Sequence, residues 1–190
     1  MGLDMYLSKR HYVQNWEHNG PEGQHQISVK KNKKVVPYIN TGKITYIIEE
    51  VCYWRKANAI HDWFVQNCQE GNDDCKEYWV SREQLQELYD ACVLVRDNSK
   101  LVEGKVNNGY KFDSEGNKTP IVEDGKLIED NSVAETLLPT TSGFFFGSTD
   151  YDEYYYEDIE HTIDVLGKEL AIDYGNGSFS EPEYYYRASW

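Results

Sequence analysis

Residues 143–171 constrain the fold more than any other part of the chain. Gly143-Phe-Phe-Phe-Gly-Ser-Thr-Asp-Tyr-Asp-Glu153 reads as a short buried strand, a glycine turn and the capped start of a long helix. Over residues 150–171, Tyr151, Tyr155, Ile159, Thr162, Ile163, Leu166 and Leu170 recur on one helical face. Asp150, Glu153, Glu157, Glu160 and Asp164 form a row on the opposite face. A helix this one-sided must lay its apolar stripe against another layer of structure.

The remaining segments supply that layer. Leu3, Met5 and Leu7 alternate with Asp4, Tyr6 and Ser8, the pattern of a half-buried strand. Residues 43–53, rich in β-branched and aromatic side chains, read as a second strand. Tyr184, Tyr186, Ala188 and Trp190 alternate with Tyr185, Arg187 and Ser189 as a final strand. Ala57, Ile60, Trp63, Phe64 and Cys68 share a helical face over residues 56–68. Ser81 and Gln84 form a capping box that opens a helix over residues 82–97. Residues 14–25 and the Gly175-Asn-Gly177 break read as loops, and the lysine run Lys30, Lys31, Lys33 and Lys34 as a solvated loop or a protected edge strand. Residues 100–131 are polar and turn-rich, which suggests a protruding hairpin or a mobile insertion. The expectation is a single α+β domain over residues 1–190, with a mixed or antiparallel sheet of about four strands and three helices mainly on one face.

Charge narrows the partners. The net charge is −14, and residues 1–60 hold nine of the 19 Lys and Arg but only five of the 33 Asp and Glu. So acidic a domain is a poor binder of nucleic acid or anionic membrane as a whole. No apolar run is long enough for a membrane span, and Met-Gly-Leu-Asp-Met-Tyr has neither the form of a signal peptide nor a Ser or Thr where myristoylation requires one. A cytoplasmic location is expected. Cys52, Cys68, Cys75 and Cys92 then read as reduced thiols. His61, Cys68 and Cys75 are evenly spaced, but no Cys-x-x-Cys pair or obvious fourth ligand supports zinc, so neither metal nor cofactor is expected. Exposed tyrosines and an open sheet edge allow a homodimer.

Three segments can carry a site. Gly147, Ser148, Thr149 and Asp150 place backbone N–H groups at a helix start, where they hold an anion or are satisfied by ordinary capping from Thr149 or Asp150. Trp54, Arg55 and Lys56 precede Asn58 and His61; cations at a helix N-terminus oppose its dipole, so they call for a carboxylate such as Asp4, Glu50 or Asp150, or for an anionic ligand. Arg187 and Trp190 sit in an aromatic C-terminal run suited to stacking on a base or within the sheet edge. No Walker A loop, Gly-x-Ser-x-Gly or His-Glu-x-x-His occurs, so binding is expected ahead of catalysis.

The blocks Met1 to Leu7, Tyr53 to His61 (YWRKANAIH) with Trp63-Phe64, Tyr78 to Gln84, Leu137 to Pro139, Ser142 to Glu153 (SGFFFGSTDYDE) and Tyr186 to Trp190 together resemble a family of small bacteriophage and prophage proteins with no established activity. The resemblance implies a setting, an accessory protein inside an infected bacterium that acts by binding. The expected partner is a nucleotide-like small molecule such as a signalling nucleotide of host defence. Phosphate would meet Arg55, Lys56 and the N–H groups of Gly147 to Thr149, and a base would stack on Trp54, Tyr186 or Trp190. An acidic nucleic-acid mimic that docks on a host protein through Glu153, Glu157, Glu160 and Asp164 is one alternative. A metal-assisted hydrolase using Asp4, His61 and Asp150 or Asp152 is the other.

Overall fold

The first and last strands of the chain are neighbours at the centre of one sheet. The computed structural model describes residues 2–18, 20–143, 145–175 and 181–190. Its strands are β1 (Asp4–Tyr12), β2 (Lys30–Lys31), β3 (Lys34–Val35), β4 (Tyr46–Arg55), β5 (Glu77–Val80), β6 (Leu101–Phe112), β7 (Lys118–Ile128) and β8 (Glu183–Ser189). Its α-helices are α1 (Asn58–Cys68), α2 (Arg82–Asp97), α3 (Ser132–Leu137) and α4 (Glu153–Leu170). The main sheet has the order β4-β1-β8-β5 and every neighbouring pair is antiparallel, with Met5 opposite both Trp54 and Ala188.

Alternation sorts the two faces. Met5, Leu7, Cys52, Trp54, Val80, Tyr184, Tyr186 and Ala188 are buried in one core with Ile60 and Phe64 of α1, Leu85, Leu88 and Cys92 of α2, and Ile159 and Leu166 of α4. Their in-between neighbours Tyr53, Trp79 and Arg187 are exposed. The fold is therefore α+β, an antiparallel four-stranded sheet with its helices on one face. No described helix is long and apolar enough to cross a membrane.

Two expectations are corrected. The fourth strand is β5, not the segment around Phe145; Phe144 lies outside the described residues. Tyr78 and Val80 are the only inward positions of β5, too few to show an alternating pattern. Gly143, Phe145 and Phe146 instead belong to a turn, Phe146 N–H donating to Gly143 O at 3.2 Å, and among the described residues Leu3 N–H donating to Phe145 O at 3.1 Å joins it to the sheet region. The long helix also starts later than residue 150. Asp152 is its N-cap and accepts from the N–H groups of Tyr154 and Tyr155, both at 3.0 Å, so neither Thr149 nor Asp150 fills that role. The capping box of Ser81 and Gln84 is present as read. The lysine run forms the exposed β2–β3 hairpin, turning through Asn32 and Lys33, both at positive φ. Residues 101–128 form the β6–β7 hairpin, anchored to the start of α4 by Ile128 N–H donating to Tyr151 O at 2.9 Å. Of the Gly175–Gly177 break, only Gly175 belongs to the described residues.

Lys9 lies on the helix-covered face of β1, where a bare ammonium would be costly. It donates to both oxygens of Glu169, at 3.1 and 3.0 Å, and Tyr174 and Tyr184 each donate to Glu169 Oε1 at 2.8 Å. Burial alone would lower the ammonium's pKa, but Glu169 and Tyr174 hold it above its ordinary value. Burial alone would likewise raise the Glu169 carboxyl, but hydrogen bonds from Tyr174, Lys9 and Tyr184 hold it below the usual range. Stability from Glu169 is therefore complete above its unfolded pKa of about 4.3 and is lost as pH falls through its depressed folded value. Stability from Lys9 is complete below about 10.4 and is lost as pH rises through its raised value. Glu169→Leu, which strands the buried ammonium, is expected to cost ~3 kcal/mol in urea unfolding at pH 7, and the Lys9→Met, Glu169→Leu pair less than either single change.

Candidate functional site

Asn58, the first residue of α1, builds the site. It is buried, and its amide donates to Phe146 O at 3.1 Å and Ser148 O at 2.7 Å while its Oδ1 accepts from Thr141 N–H at 2.9 Å. These three bonds fasten residues 141–148 beside the start of α1. Lys56 N–H donates to Leu3 O at 2.8 Å, which ties the same corner to the segment before β1.

Contrary to the expectation above, Arg55 and Lys56 do not form the start of the helix. Arg55 ends β4, and Lys56 takes a left-handed turn with φ +63 before α1 begins. The Lys56 stem passes between two glycines. A Cβ on Gly147 would lie 3.2 Å from Lys56 Cβ, and one on Gly2 would lie 3.4 Å from Lys56 Cε. Gly147 also has φ +89, a conformation side chains rarely adopt. Both glycines leave room for the ammonium to extend, and no carboxylate pairs with it among the described residues. Arg55 has one loose partner, Asp4, with Nε 3.9 Å from Oδ1, and its side chain is 62% exposed.

Between this corner, the β6–β7 hairpin and the first turns of α4 lies a cleft of ≈ 720 Å³. Arg55, Lys56, Asn58, Gly147, Ser148 and Asp150, drawn from two distant segments, all line it. Ala57, Ile60 and Ile159 contribute apolar surface, and Asn107, Asn108 and Tyr110 of the hairpin face Tyr154, Glu157 and Asp158 of α4. A bulge between Asn107 and Tyr110, with Gly109 at φ +111, bends the hairpin there.

Two carboxylates in this cleft are incompletely satisfied. Asp152 is 1% exposed; its Oδ1 caps α4, but its Oδ2 is buried without a hydrogen-bond partner. Burial pushes its pKa up, against the downward pull of the Tyr155 and Tyr154 N–H groups. The Asp158 side chain is half-buried and makes no hydrogen bond or ion pair among the described residues. Burial, with the charges of Glu157 and Asp152, pushes its pKa up to about 7. Although four acids line the cleft, no group of three or more His, Cys, Asp or Glu is arranged to hold a metal ion among the described residues.

Six proposed site residues do not line it. Trp54 is 2% exposed and donates its indole N–H to Thr162 Oγ1 at 2.9 Å, so it cannot stack on a ligand. His61 is buried between the Tyr186 hydroxyl, 2.8 Å from Nδ1, and Asp73 Oδ2, 3.1 Å from Nε2. Tyr186 is fully buried and stacked on Phe64 at 3.9 Å. Trp190 donates to Asp73 Oδ1 at 3.1 Å, closing the chain's end over this relay. Arg187 lies on the open sheet face over Tyr6, and Thr149 holds the Thr140 hydroxyl through its carbonyl. These residues hold the scaffold, and the hydrolase set is split because His61 stands apart from Asp150 and Asp152. The acidic row of α4 is divided too: Glu157 lines the cleft while Asp164 pairs with Lys168. The sequence reading missed Asp158 and the hairpin residues. Asp158 falls three residues after Tyr155 and one before Ile159, outside the acidic row, and that position beside the apolar stripe was the available signal.

Compared with known proteins, the sequence matches no family model, and neither a curated protein nor a solved structure matches it.

An aspartate whose folded pKa is raised favours the folded state below its unfolded value near 4 and penalises it as pH rises through 7. Asp158→Asn should therefore raise the stability, by at most about 4 kcal/mol at pH 8 and by less than half as much at pH 5. Thermal melts at the two pH values check this; a loss of stability at pH 8 would contradict it.

Proposed function

We propose that this chain is a binding protein whose cleft takes up a nucleotide-like small molecule, its anionic group toward Arg55 and Lys56. The observation that supports the reading most is the Lys56 side chain, threaded between Gly2 and Gly147 to the rim of the cleft without a carboxylate partner among the described residues. A positive group held ready beside a concave, partly apolar surface is a natural seat for phosphate. Tyr154, 50% exposed, offers a ring in the opposite wall on which a base can stack.

The cleft's charges select among nucleotides. Arg55 and Lys56 stand against Asp150, Glu157 and Asp158, so each further phosphate charge meets repulsion. A cyclic nucleotide or monophosphate fits better than a triphosphate. The resemblance to phage accessory proteins extends the reading to its setting: sequestering a nucleotide signal of host defence in the bacterial cytoplasm. The reading is retention and not turnover, with His61 withdrawn into the core.

Calorimetry against cyclic nucleotides, monophosphates and triphosphates is the test. A cyclic nucleotide or monophosphate is expected to bind, and Lys56→Glu to weaken it at least tenfold without lowering the melting temperature. Absence of binding across the panel would overturn the reading.

A further inference from the structure

The helices cover one face of the main sheet and leave the other bare. The open face of such an antiparallel sheet is commonly polar. Here it is lined with rings. Tyr12, Tyr46, Ile48, Tyr53 and Trp79 all lie on the side away from the helices, and each is at least 39% exposed. Tyr6 joins Tyr53 at 5.3 Å between ring centroids, and Tyr12 joins Tyr46 at the same distance. So continuous an exposed apolar face marks an interaction surface. We propose that a second copy of this chain covers it, the two sheets packing face to face about a two-fold axis along the β1–β8 boundary.

Charge selects that occupant. A net charge of −14 sets copies of the chain against each other over most of their surface. Glu153, Glu157, Glu160 and Asp164 stand on α4 in the helix layer, so pairing through the sheets places these acids on opposite outer sides. The open face carries its own matching groups. Arg10 pairs with Glu77 and lies 4.0 Å from the Tyr185 ring. Arg187 lies 5.4 Å over Tyr6 and makes no ion pair among the described residues. Across the β1–β8 boundary Arg10 stands opposite Glu183, and Tyr6 opposite Arg187. A two-fold axis along that boundary exchanges the two strands. Arg10 then meets the partner's Glu183 and Arg187 meets the partner's Tyr6, each contact being made twice. Sheets packed face to face keep their strands within about 30° of each other, which preserves the match near the axis. The four strands span roughly 19 by 25 Å, so pairing buries on the order of 1,000 Å² in total, enough for a specific but weak dimer. A nucleic-acid strand stacked on the rings is disfavoured, because Arg10 and Arg187 stand among Glu50, Glu77 and Glu183 with no surplus of positive charge. The pairing is independent of what the cleft binds.

Sedimentation velocity of the intact chain from about 5 to about 500 µM is the test, with half association expected on the order of tens of micromolar. Trp79→Glu sets a carboxylate against the partner's Glu50, and Arg187→Glu removes the cation over the partner's Tyr6. Each should weaken association at least tenfold, while melting within about 3 °C of the parent chain because both positions are exposed. A monomer at the highest concentration, or a dimer that both variants leave intact, would overturn the proposal. So would a monomer that sediments faster only when a poly(U) strand is added, which would assign the face to nucleic acid.

Discussion

The buried amide of Asn58 is the interaction on which the cleft depends. Its three hydrogen bonds hold the loop of residues 141–148 to the first turn of α1. An amide can both donate twice and accept, so one side chain replaces the ladder that this non-strand segment lacks. Without it, the buried Phe146 carbonyl would lose its donor, at about 1–3 kcal/mol, while the more exposed Ser148 carbonyl would turn to water. The loop then places Gly147 against Lys56 and delivers the chain to Asp152, the cap of α4. The cationic rim and the acidic end are both set by where this loop is fastened.

Two ways of treating buried charge coexist in the same molecule. At one end of α4, Lys9 and Glu169 neutralise each other, and two tyrosine hydroxyls complete the carboxylate's bonds. At the other end, Asp152 and Asp158 are left short of partners and their pKa values rise. The first arrangement stabilises the packing of α4 on β1. The second penalises the folded state at neutral pH.

The sheet and the three long helices were legible because their periods are clean. Leu3, Met5 and Leu7, the stripe of α4, and the Ser81–Gln84 box each express a local rule that packing did not override. The corrections arise where short-range signals compete. Phe145 and Phe146 have the composition of a strand, but the Asn58 clamp and the Gly143 turn take their backbone bonds. Arg55 and Lys56 were noticed because they oppose a helix dipole; the chain resolves that conflict by a left-handed residue that ends the strand before the helix begins. Arg55, Lys56 and Asn58 line one cleft with Gly147, Ser148 and Asp150. The hairpin wall was not readable, and Asp158 showed only its place beside the apolar stripe, because their roles depend on how β6–β7 seats against the start of α4, a long-range contact. The Tyr186–His61–Asp73 relay was hidden for the same reason, and His61 therefore looked like a site residue instead of a core one.

The carboxyl titrations of Asp152 and Asp158 in the ligand-free protein, followed by carbon-13 NMR, test the account most directly. Asp158 should titrate at about 7 and Asp152 above the ordinary aspartate range, because burial penalises both charged forms and neighbouring carboxylates add to it. Ordinary values near 4 for both would mean that water reaches them freely, and the account of this end of the cleft as a pair of buried, under-partnered carboxylates would fail.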